Sequence, residues 1–263
     1  MLEQAIADGL SFLSSARNAD GSWGYQRGAA GQLEPTILCA ATGLEIPGDW
    51  IRAQPRAWPS LLLPAAIADR DPSLASETAD WILTQQSVSV DLMSESFDGT
   101  IPAWSWVEGT AAWVEPTCYA ILSLVRTGKG AQRIADGRRL LRDRQCRDGG
   151  WNYGNPRMLG TELEGQAAPT GWALLALERN DPAVPNGLRS LASAKAEPST
   201  LSLSLGVFAS VWHRQDVGDL TALLAPRIGS EGARGRIDWT ALAVLALQSA
   251  SSQHVVFQLP DPP

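Results

Sequence analysis

Two kinds of helical segment alternate along this chain. One kind is apolar all round: Gly171-Trp172-Ala173-Leu174-Leu175-Ala176-Leu177 carries no charged side chain, and a helix without a polar face has to be buried on every side. This kind is predicted over Ile37 to Glu45, Pro59 to Asp69, Cys118 to Arg126, Gly171 to Arg179, Ser199 to His213 and Ala241 to Ser249. The other kind mixes charge with apolar residues at helical spacing and suits an outer layer. It is predicted over Leu2 to Arg17, Ser76 to Gln86, Gln132 to Arg144, Pro182 to Lys195 and Asp216 to Ile228, with a short, Pro-interrupted partner before Pro59. Val, Ile and Thr never alternate over a strand's length, so the fold class read here is all-α. About six inner helices, each with an outer partner, make a single α/α toroid over residues 1–252. A Pro-rich tail, 253–263, is expected to drape over the surface or stay disordered.

The inner helices share a way of starting. Glu34-Pro35-Thr36, Glu115-Pro116-Thr117, Ala168-Pro169-Thr170 and Asp238-Trp239-Thr240 each open one. Proline suits the first helical turn, where its missing N–H leaves no bond unmade, and an acid just before it favours the positive helix end. Short connections require alternating directions, so all these starts are expected at one rim. The longest irregular stretches, Ser87 to Val114 and Asn152 to Ala167, arrive there too, and long loops in compact domains tend to be functional.

The turns between outer and inner helices also repeat. Arg144-Gln145-Cys146-Arg147-Asp148-Gly149-Gly150-Trp151 has an earlier copy in Arg17-Asn18-Ala19-Asp20-Gly21-Ser22-Trp23, and a looser one from Phe97-Asp98-Gly99 to Trp104. Asp-Gly tolerates positive φ, and the Trp offers a large surface to wedge between helices. Gly137, Leu140, Leu141, Gln145, Gly149 and Trp151 match, in order, the Gln-Trp motif of the squalene–hopene and oxidosqualene cyclases. Gly9, Phe12, Leu13, Gly21 and Trp23 match it without the Gln. The chain therefore resembles the terpenoid cyclase and protein prenyltransferase superfamily, with its prenyltransferase and squalene oxidase repeats, over most of its length at the repeat level.

Composition narrows the function classes. A formal charge of −7 leaves no basic stripe to displace phosphate counterions, so no nucleic-acid partner is expected. Cys39, Cys118 and Cys146 are an odd set without paired spacing, which reads as a reduced, cytoplasmic chain. Met1 to Arg17 is amphipathic rather than signal-like. No stretch approaches the roughly 20 apolar residues that span a bilayer, although peripheral membrane contact stays compatible.

Candidate chemistry sits at the inner-helix starts. In squalene–hopene cyclases an Asp-x-Asp-Asp-Thr motif starts an inner helix, and its middle Asp protonates an alkene. Aligned on the Thr, Asp238, Glu115 and Glu34 stand in that place, with Asp238 the first choice. Pro35, Pro116 and Trp239 replace the last Asp, and Gln32, Trp113 and Arg236 the first. A lone carboxyl at a helix start is expected to ionise, because the positive end favours the charged form. Tyr119 and Trp172 share a register two residues past the Thr, and with Trp113 and Trp239 they are the expected substrate-binding aromatics. The zinc ligands of the prenyltransferases are not matched: Pro116 takes the place of the His, and no His accompanies Cys118. No metal or cofactor is expected.

Three functions fit. The resemblance implies a toroid that binds an apolar isoprenoid and cyclises or isomerises it by acid-initiated chemistry. Triterpene cyclases enclose their cavity with two such domains, so a homodimer or partner chain would complete this one. The alternatives are a non-catalytic toroid that binds an isoprenoid or a protein, and a glycoside-processing (α/α) toroid with opposed carboxylates.

Overall fold

The computed structural model describes residues 1–90, 97–191 and 199–257. Among them are twelve α-helices: α1 (Leu2–Ser15), α2 (Leu33–Ala41), α3 (Gly48–Ala53), α4 (Leu63–Ile67), α5 (Pro72–Thr84), α6 (Val114–Thr127), α7 (Ala131–Asp143), α8 (Ala167–Ala176), α9 (Val184–Ser190), α10 (Thr200–Trp212), α11 (Gly218–Leu224) and α12 (Ile237–Ser252). A 3-10 turn at Trp58–Leu61 leads into α4, so the element expected from Pro59 is broken in two. The expected outer helix Pro182 to Lys195 is α9 as far as Ser190, and its end lies outside the described residues. The only sheet among the described residues is a hairpin of two-residue strands, β1 (Arg157–Met158) and β2 (Thr161–Glu162), inside a stretch expected to be irregular.

The fold is all-α. Every apolar-all-round segment is buried, and buried side chains from Ala5 to Phe257 form one contiguous core. α2 packs on α4, α4 on α6, α6 on α8, α8 on α10, α10 on α12, and α12 again on α2. The first turn also meets the start of α12: Ile237 N donates to the Tyr25 carbonyl at 3.0 Å, and Gln26 bridges Arg236. Val255 and Phe257, beyond α12, are fully buried, so the expected tail enters the core at least to Phe257. Residues 258–263 lie outside the described part.

The repeated turns explain how the inner helices are pinned. Asp20, Asp98 and Asp148 each accept the backbone N–H two residues on, closing the turn. Gly21 and Gly149 take φ of 86° and 90°, a conformation that penalises a Cβ. The indoles of Trp23, Trp104 and Trp151 are buried and donate to the carbonyls of Leu13, Ile82 and Leu141 in the preceding outer helices, at 2.7, 3.0 and 2.6 Å. Their backbone N–H groups donate to the hydroxyls of Thr36, Thr117 and Thr170 in the following inner helices, at 3.0, 3.3 and 2.9 Å. Each Trp thus ties an outer helix end to an inner helix start. Gln145 donates to the Gly149 carbonyl, and in the first copy Arg17 takes that role by donating to the Gly21 carbonyl.

A Trp-x-Tyr pattern adds a second link. The carbonyl of Tyr25, two past Trp23, accepts from the first N–H of α12, and that of Tyr153, two past Trp151, accepts from the first N–H of α6 at 3.1 Å. A helix leaves its first N–H groups without internal partners, and here the neighbouring turn supplies them.

Candidate active-site cavity

The starts of α2, α6 and α12 converge on one cavity. Its carboxylates are Glu34, Glu115 and Asp238, its aromatic wall is Trp58, Tyr119, Trp172 and Trp239, and Ile37, Leu38, Pro59, Leu62, Leu201 and Leu242 complete the lining. The shared helix register explains this. Two residues before the Thr stand Glu34, Glu115 and Asp238, and two residues after it stand Leu38, Tyr119, Trp172 and Leu242, one helical turn apart on the same face. The empty space is about 510 Å³ with the open mouth included.

Six of the seven expected site residues meet there. Trp113 does not: it is half-exposed, forms the N-cap position of α6 and lies over Gly154. Its expected place in the wall is taken by Trp58, from the 3-10 turn before α4. The rings form a continuous run. Trp58 stacks on Tyr119 at 6.3 Å, Tyr119 meets Trp172 edge-on at 4.8 Å, and Trp172 packs on Phe257 at 5.6 Å.

The three carboxyls have different partners. Glu115 accepts from the Tyr119 hydroxyl at 2.6 Å, and Glu34 accepts from the Tyr25 hydroxyl at 2.5 Å. Asp238 is buried and accepts two bonds from Arg236, 2.8 and 2.6 Å, in a side-on ion pair. The same guanidinium lies over the rings of Tyr25 and Trp239, at 5.1 and 4.9 Å. Each oxygen of Asp238 thus holds one bond from Arg236, within an ion pair that the other two carboxyls lack. This displaces Asp238 as the first candidate for the acid.

Glu115 takes that place. Burial pushes its carboxyl up to about 7; the Tyr119 hydroxyl offsets part of the rise and the Glu34 charge adds to it. Burial also raises Glu34, with the Tyr25 hydroxyl opposing and the Asp238 charge adding. The helix-dipole expectation is thus reversed at both residues: desolvation outweighs the positive helix end. Among the described residues no group of three or more His, Cys, Asp or Glu is placed to hold a metal ion. Cys39, Cys118 and Cys146 are buried free thiols. No described helix is long and apolar enough to cross a membrane. The chain matches no protein-family model and no curated protein.

Proposed function

We propose that this chain is a single α/α toroid of the terpenoid-cyclase kind that binds a short isoprenoid in this cavity and exchanges a proton with it through Glu115. The observation that carries the reading is the buried Glu115 carboxyl, bonded to the Tyr119 hydroxyl and facing a cavity walled by aromatic and aliphatic side chains beside Glu34 and Asp238. The cyclic order of inner-helix contacts supports the toroid. The apolar part of the lining suits a hydrocarbon chain.

An acid poised near 7 is matched to proton transfer at an activated position, such as the chain conjugated to a carbonyl. Protonating an isolated alkene demands a much stronger acid, so acid-initiated triterpene cyclisation fits this cavity less well than an isomerase-like step.

Titration with geranial, geraniol, farnesol and squalene, followed by tryptophan fluorescence and product analysis, tests the reading. Geranial and the short alcohols are expected to bind, and Glu115→Gln is expected to bind geranial without turning it over. Equal binding and no product in either protein leaves a non-catalytic isoprenoid carrier. No binding of any isoprenoid removes the proposal.

A further inference from the structure

Tryptophan is abundant here, eleven residues in 263, and the turns and the cavity account for only part of it. Trp81 and Trp106 serve neither. With Trp58 they line a separate groove of about 860 Å³, open mouth included, between the end of α5 and the loop before α6. Trp58 is the wall this groove shares with the cavity, and it meets Trp106 edge-on at 4.8 Å and 80°. The polar groups of the groove include Arg56, Gln86 and Glu108.

We propose that this groove binds an uncharged polyhydroxylated ring, a neutral carbohydrate. Half-buried indoles from three separate segments offer electron-rich faces, and the C–H face of a pyranose carries the complementary positive edge. Hydroxyls need donors and acceptors together, which the guanidinium of Arg56, the amide of Gln86 and the carboxylate of Glu108 supply. An apolar ligand would cover these polar groups without pairing them. An anion gains little, because Glu108 balances Arg56 within the groove and the chain carries a formal charge of −7.

The inference is independent of isoprenoid binding, and calorimetric titration with maltotriose, cellotriose, triacetylchitotriose and trigalacturonate tests it. At least one neutral trisaccharide is expected to bind. Trp106→Ala should weaken it about tenfold or more, and Gln86→Ala, at an exposed position that leaves the fold intact, about fivefold. Geraniol binding by Gln86→Ala should be unchanged, which separates loss of this site from loss of the cavity. Failure of all three neutral sugars to bind overturns the proposal. So does binding that neither substitution weakens, or tighter binding of trigalacturonate that fades with salt.

Discussion

Replacing Glu115 by Gln tests the electrostatics of the cavity without altering its shape. The folded carboxyl titrates at about 7 against an ordinary value of 4.5, with burial as the main cause. Below pH 4.5 Glu115 is protonated in both folded and unfolded chains and contributes no pH-dependent term. Between 4.5 and 7 the folded chain holds the proton that the unfolded chain has lost, so unfolding releases it and stability falls as pH rises. Above 7 the full cost of a buried carboxylate is present, about 3 kcal/mol at 1.36 kcal/mol per pH unit. The Gln variant keeps an oxygen to accept from the Tyr119 hydroxyl and never ionises. It should therefore match the wild type near pH 4 and exceed it by about 3 kcal/mol at pH 8, or roughly 6 °C in Tm for a chain of this size. Urea unfolding of both proteins from pH 4 to 8 measures this directly. A difference that stays constant across that range, or a variant less stable at pH 8, refutes the claim that burial holds Glu115 near neutrality.

The hydroxyl of Thr170 accepts the Trp151 N–H at 2.9 Å and is fully buried, so Thr170→Val should cost about 2–3 kcal/mol by orphaning that donor. Thr117→Val, whose bond is 3.3 Å, should cost less, and chemical denaturation ranks the two. Trp151→Ala should cost about 3–5 kcal/mol, and a melting temperature that barely moves would show that the turn is no staple. Phe257→Ala should cost a similar amount by calorimetry, since its ring packs on Trp172 and Phe208.

Most of the architecture was legible because the pattern is redundant. Apolar-all-round segments have one destination, and each of the three turns carries its own Asp, Trp and downstream Thr. The register argument located Glu34, Glu115 and Asp238 on one cavity and placed Tyr119 and Trp172 in its wall; extended to the other helices, it also finds Leu38 and Leu242. Trp58 was missed because its segment is a 3-10 turn whose period differs from the helices around it. Phe257 was missed because a proline-rich ending hides one apolar anchor. Trp113 was misplaced because a position before the helix has no fixed facing. The surroundings of the acids were not legible, since they depend on how the turns and helices close over them: the Tyr25 hydroxyl on Glu34, and the desolvation of Glu115. Arg236 beside Asp238 was in plain view, but its side-on ion pair is a matter of geometry.

The central claim is a proton passed between Glu115 and a bound isoprenoid, and deuterium uptake from solvent measures it most directly. The protein is incubated with geranial in D2O near pH 7, and the recovered ligand is analysed by mass spectrometry beside a Glu115→Gln sample and a protein-free control. The account predicts deuterium on geranial with the wild type, and only background incorporation with a variant that still binds the ligand. Incorporation that is equal in both proteins, or no greater than background in the wild type while geranial is bound, would contradict it.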